Sequence, residues 1–250
     1  MDWSKAKTIL ILAFLALNLF LAAQLLQARN EQSDNINSAK DTRRELAQLL
    51  QDKEITVTTD LPSEPPRVTY LEAKPAPPDN DWESNTDGSY ERNLQPAPEA
   101  GTSLHRLNRL LRRYVDHFDD FQYDPGESSS DRKVYYQYWG DRPLFDARLQ
   151  VRMKGDRVES LHLVRFKIND ENSSPQQGVT SHTALLSLIE NRRIQKGSTI
   201  TSMELGYHGP SYDAEVRILH PVWRIKTVDK TYYVNALTGG SDTAMNTKKP

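Results

Sequence analysis

The chain has 250 residues, with 32 basic and 34 acidic side chains, a formal net charge of −2 and no cysteine. The lack of cysteine excludes structural disulfides, Cys-based zinc sites, a catalytic thiol and a cysteine-linked lipid anchor. Lys5, Lys7, Arg29 and Asp2 lie within residues 1–29, which leaves 29 basic against 33 acidic residues beyond them. A remainder of that sign is a poor surface for nucleic acid.

The first expected element is a membrane span. Thr8 to Leu26 reads TILILAFLALNLFLAAQLL and carries no charge. At about 1.5 Å per residue it reaches roughly 28 Å, against a hydrocarbon layer of about 30 Å. Lys5 and Lys7 precede it, so residues 1–7 are expected in the cytoplasm and the rest of the chain outside, with Trp3 at the interface. A cleaved signal would have a shorter apolar run ending at small residues, whereas Ala22-Ala23 runs on into Gln24-Leu25-Leu26. The span is therefore read as uncleaved. Asn18 lies mid-span and is the candidate contact to a partner's transmembrane helix; the alternative is that it bonds its own backbone.

Residues 27–101 are expected to hold a helix with Leu46, Leu49 and Leu50 on one face, a short strand at Ile55–Thr59, and then a Pro-rich linker from Leu61 to Gly101. The linker is broken only by a strand-like Val68–Leu71. Leu104 to Phe121 has apolar residues at three- and four-residue steps and predicts one long helix, capped by Thr102 or Ser103. Its other face carries Arg106, Arg109, Arg112 and Arg113, read as solvated. Strands are expected at Val134–Trp139, Leu144–Met153 and Arg157–Ile168, with Lys154-Gly155-Asp156 as a hairpin turn. Thr180 or Ser181 opens another helix. Strands follow at Thr199–Leu205, Glu215–Leu219, Val222–Val228 and Lys230–Ala236, then a turn at Leu237–Gly240 and a frayed tail over 241–250. The expected class is α+β, an N-terminal transmembrane helix followed by antiparallel sheets packed by helices. Two helix-plus-strand subdomains are expected at 102–178 and 179–240.

Motifs for chemistry are sparse. The six histidines (His105, His117, His162, His182, His208, His220) show no i, i+4 zinc spacing. Ser130 and Lys133 match S-x-x-K, but no K-T-G segment accompanies it and the match falls in a polar loop, so it is read as chance. Asp119, Asp120 and Asp124 form an acidic run without the alternating oxygens of a calcium loop. Asn172-Ser-Ser174 is a formal glycosylation sequon. The expectation is no catalytic residue, no metal and no cofactor.

Three stretches resemble the YycI family: Met1-Asp-Trp-Ser-Lys-Ala-Lys-Thr8 before a single span, Pro143-Leu-Phe-Asp-Ala-Arg-Leu149, and Ile200 to Gly239. The last contains ITSMELGYHG, His220-Pro-Val-Trp-Arg-Ile225 and Tyr232-Tyr-Val-Asn-Ala-Leu-Thr-Gly239. The resemblance implies a non-enzymatic, single-pass protein of low-GC Gram-positive bacteria. With a similar YycH protein, it would associate with the WalK (YycG) sensor histidine kinase of a two-component system controlling cell-wall metabolism. Membrane-helix contacts and a homo- or heterodimer are implied, and the sign of regulation differs between organisms. The segment over 179–240 also looks like a PepSY-type module. The alternative reading is a tethered extracytoplasmic enzyme or ligand-binding protein acting on the cell wall. Trp223 is expected in the core, since a strand aromatic usually packs against its sheet neighbours.

Overall fold

The computed structural model describes residues 13–15, 17–18, 20–21, 40–79, 81–169, 174–209 and 216–241. The span expected over 8–26 lies largely outside this set; its described residues are helical. Among the described residues no helix is long and apolar enough to cross a membrane. The sequon at Asn172 and the tail beyond Ser241 also lie outside the set.

Residues 1–52 and 53–250 are separate compact units. The described part of the first contains helix α1, residues 40–52, which carries the expected stripe of Leu46, Leu49 and Leu50. The second unit is mixed α+β and dominated by strands. Its elements in chain order are β1 (Thr56–Val57), β2 (Arg67–Val68), β3 (Leu71–Pro75), β4 (Glu83–Ser84), β5 (Tyr90–Asn93), α2 (Leu104–Leu111), a 3₁₀ turn (Phe118–Asp120), β6 (Phe121–Tyr123), β7 (Arg132–Trp139), β8 (Arg142–Lys154), β9 (Arg157–Leu163), β10 (Phe166–Asn169), β11 (Gln176–Gln177), α3 (Ser181–Glu190), β12 (Thr199–His208), β13 (Arg217–Thr227) and β14 (Thr231–Asn235).

Twelve strands form one sheet with the path β10-β3-β13-β12-β8-β9-β5-β4, from which β1, β14, β6 and β7 branch. Most pairs are antiparallel, as expected. Two are not: β1 and β8 both run parallel to β12. The β8–β12 pair, at Tyr207 and Leu144, joins the two helix-plus-strand blocks in one ladder.

The long helix expected over Leu104–Phe121 stops at Leu111. From there the chain tightens, with Arg113 and Tyr114 bonding three residues back to Leu110 and Leu111. His117 then takes a left-handed conformation, φ 55° and ψ 33°, and turns the chain into the 3₁₀ segment and β6. The apolar stripe survives because three-residue winding keeps the same side inward. Leu107, Leu111, Val115, Phe118 and Phe121 are all buried. Ser103 stands at the N-cap without a side-chain bond, whereas the Thr180 hydroxyl accepts from Thr183 N–H at 3.2 Å and opens α3.

The Pro-rich stretch does not behave as a linker. β3 lies between β10 and β13, burying Leu71 and Ala73 while Glu72 and Lys74 face outward. β5 zips onto β9, and residues 94–100 continue along it through Leu94 N–H to Glu159 O and Ala100 N–H to Asp156 O. The strands expected at 215–219 and 222–228 are one strand, since Pro221 sits within β13 opposite Tyr207. The turn after β14 is as expected: Gly239 has φ +72°, and its N–H returns to Asn235 O at 2.9 Å.

Candidate functional site

The sheet turns a corner where β7, β8 and β12 meet. Gln137 on β7 faces Leu144 on β8, but the preceding Tyr136 faces Arg148. Residues 145–147 on β8 are therefore extra, forming a bulge that bends the strand and re-aims its side chains. Gln137 fills the resulting gap: its side-chain amide bonds both N–H and C=O of Phe166, at 2.9 and 2.7 Å, as a strand residue would. At this corner β12 passes close to β8. A Cβ on Gly206 would lie 2.5 Å from Pro143 O and 2.7 Å from the Phe145 ring, so only glycine fits.

The bulge directs Phe145 into a small core with Val134, Tyr136, Val222 and Tyr233. In its midst is a buried cation. Arg224, 3% exposed, reaches Glu204 Oε2 at 2.5 Å and Asp124 Oδ2 at 3.2 Å, and its guanidinium stacks 4.2 Å from the Phe145 centroid. Lys226, two residues on and so on the same face, pairs with Glu127 at 2.7 Å and lies 3.7 Å from Asp124. Nε and Nη1 of Arg224 have no hydrogen-bond partner; the Phe145 and Tyr136 faces flanking the guanidinium offer π-electron contacts instead. Beside this, His208 Nδ1 lies 2.7 Å from Asp146 Oδ1, and its ring stacks on Tyr233 with centroids 4.3 Å apart. Asp146 Oδ2 accepts from Gly209 N–H.

Burial works against the charge on Arg224, but Tyr136, Glu204 and Asp124 outweigh it and raise its pKa. Burial raises the phenols of Tyr136 and Tyr233 above the ordinary range. Tyr138, which donates to Glu204 Oε1 at 3.4 Å, is pushed up to about 12, by burial first and then by that carboxylate. The phenols are therefore held neutral and the guanidinium charged. Such a closed arrangement pins one geometry; Asp124 and Glu204, from two separate segments, must both be in place beside β13 to neutralise one cation.

The sequence motifs are placed elsewhere or otherwise. Asp124 is an ion-pair partner and also caps its own turn through Gly126 N–H, while Asp119 is bound by both Nε and Nη2 of Arg112. Lys133 Nζ donates to Ser129 O, and Ser130 is an exposed loop residue. The histidines fall on α2 (His105), the turn after it (His117), β9 (His162), α3 (His182), β12 (His208) and β13 (His220). Among the described residues no group of three or more histidines or carboxylates is placed to hold a metal ion. Asn18 Nδ2 donates to Phe14 O at 2.9 Å, a bond within its own helix. Trp223 is buried on the opposite face of β13 from Arg224, its indole N–H bonding Val179 O at 2.9 Å.

No local sequence pattern marks Arg224, Glu204, Lys226 or Glu127. Yet two of the three stretches behind the YycI resemblance supply Phe145, Asp146, Glu204, Gly206, His208, Arg224 and Tyr233, and the fold brings those stretches together at this corner.

Two open grooves lie on this unit, one of them beside α2. One, about 340 Å³, lies between Arg106, Arg109 and Leu110 on the helix with Arg113 just beyond it, and Glu99–Gly101 with Asp156 opposite. The other, about 610 Å³, runs along residues 92–99 beside Tyr114 and Arg157.

The family described as YycI protein matches residues 32–237, from α1 to the turn after β14. The chain belongs to the YycI family. This is the family of WalK/YycG regulators, and membership suggests a regulator of that two-component system. No curated protein matches the chain. Among solved structures, an uncharacterized protein from Eubacterium rectale ATCC 33656 is 9% identical, with 82% of this chain and 81% of that one covered and a TM-score of 0.43. The C-terminal domain of YpeB from Bacillus megaterium is 11% identical, with 85% and 97% covered and a TM-score of 0.36. Both likenesses are too loose to extend to function.

Proposed function

We propose that this YycI-family chain is a non-enzymatic, membrane-anchored regulator that associates with a WalK-type sensor kinase and a YycH-like protein. Residues 8–26 act as an uncleaved span with the N-terminus in the cytoplasm, and the sheet unit lies outside. The family match over residues 32–237 carries this reading. The uncharged run behind Lys5 and Lys7 supports the topology. Part of the contact runs through the membrane helix. Lipid gives no hydrophobic drive for helix pairing, so packing and polar groups must supply it, and Asn18 is the polar group available near mid-span. Its bond to Phe14 O uses one amide hydrogen and leaves the other hydrogen and the carbonyl oxygen for a neighbouring helix.

The test is crosslinking and co-purification of tagged full-length chain from membranes. The kinase is expected in the eluate, and less of it when residues 8–26 are replaced by an unrelated span of equal length or when Asn18→Leu is made. Full recovery with both variants would confine the contact to residues 30–250. No kinase with the native chain would overturn the proposal.

A further inference from the structure

We propose that the groove beside α2 is a docking site for an acidic polypeptide segment. This rests on the reading above that the chain works by binding proteins, and it adds the chemistry of one partner surface. α2 is divided sharply. Leu107 and Leu111 face the core, while His105, Arg106, Arg109, Arg112 and Arg113 on and just beyond the helix are exposed, and the helix itself has no acidic residue. Other arginines nearby are neutralised: Arg92 by Asp81 at 3.1 Å, Arg112 by Asp119 at 2.7 Å and Arg157 by Glu99 at 2.5 Å. Among the described residues, Arg106 and Arg113 have no carboxylate within ion-pair distance, and Arg109 Nη2 contacts only His105 Nε2, at 2.8 Å.

The groove therefore concentrates unpaired guanidinium groups on an otherwise acidic unit. Guanidinium forks suit carboxylates, which they can hold through two parallel hydrogen bonds. The rest of the lining decides between kinds of anion. Ala100 and Leu110 give it an apolar floor, and on the bank facing the helix stand Asp156 and Glu99, the latter already paired with Arg157. A polymer charged on every side would meet the Asp156 carboxylate. A peptide with carboxylates toward α2 and apolar side chains toward the floor meets none of that repulsion.

The test uses intact full-length protein in detergent and a fluorescein-labelled peptide of four Glu-Ala-Leu repeats as the probe. A Lys-Ala-Leu peptide and inorganic polyphosphate serve as comparators. Binding of the acidic peptide is expected, weakening with salt and falling about tenfold in Arg106→Glu/Arg113→Glu. It is expected to be unchanged in Lys74→Glu/Lys167→Glu, which reverses two exposed charges on β3 and β10. Should the first double variant fail to fold by circular dichroism, Arg106→Gln/Arg113→Gln takes its place with the same expected direction. No binding of the acidic peptide, equal loss in both pairs of variants, or tighter binding of polyphosphate would each overturn the inference. Kinase co-purification by the native chain is measured separately, so a negative peptide result would leave the regulatory reading standing.

Discussion

Two buried regions of this molecule are built on opposite principles. Under α2, Leu107, Leu111, Val115, Phe118 and Phe121 meet Leu149, Val151, Val158, Leu161 and Leu163 from β8 and β9. That core is almost wholly apolar, and its one buried phenol, Tyr135, reaches Asn108 Oδ1 at 2.8 Å. At the sheet corner, a buried Arg224 pairs with the half-buried carboxylates of Asp124 and Glu204, among aromatic rings. The first is held by area removed from water, which is non-directional and tolerates local changes of winding. The second is held by geometry, because each buried charge is tolerable only while its partners are in position.

The largest effect is expected where a charge is forced into the apolar region. Leu111→Asp places a carboxylate at a fully buried position and should cost at least about 4 kcal/mol. A denaturant midpoint close to wild type would show that the stripe can open to water.

The second prediction asks whether the corner is as sensitive. Arg224→Ala leaves Glu204 without its cation and Asp124 with Lys226 alone, 3.7 Å away, and should cost about 3 kcal/mol. Adding Asp124→Asn and Glu204→Gln should recover a large part of that loss, because the cost lies in uncompensated charge rather than in contact area. Urea unfolding of the single and triple variants checks both; if the triple variant is no more stable than the single one, packing of the guanidinium matters more than charge balance.

The smallest effect is in alkali. The folded-state pKa of Tyr138 is about 12, above its ordinary value of 10. The folded state therefore holds the proton more tightly. Stability is intact below pH 10 and declines as the pH rises through about 12. Spectrophotometric titration should show late-ionising phenols, those of Tyr135, Tyr136 and Tyr233 also being raised by burial. Tyr138→Phe should remove one of them and flatten the alkaline decline. Titration of all phenols within the ordinary range would mean that the corner is open to solvent.

The apolar region was legible in the sequence as a stripe, although the helix proved shorter. Periodicity reports which side is inward, and a 3.6-residue and a three-residue winding present nearly the same side over two turns. β3 was missed because its alternation, Leu71-Glu72-Ala73-Lys74, spans four residues amid prolines. The corner was illegible for a different reason. Arg224 stands at an ordinary alternating position of β13, and nothing local marks it as buried. Asp124 was noticed only as part of an acidic run, and its partner, Arg224, lies 100 residues away in the chain.

By itself the sequence determined the class of elements, the hairpin and turn positions, the buried Trp223 and the family, because these follow from spacing and residue type within short windows. Only the tertiary structure decided that β8 and β12 run parallel, that three extra residues bulge at 145–147, and that Arg224, Glu204 and Asp124 meet. The reason is range. A hydrogen-bond period repeats every few residues and can be counted along the chain, whereas the neutralisation of a buried charge depends on groups that only the folded sheet brings within about 3 Å.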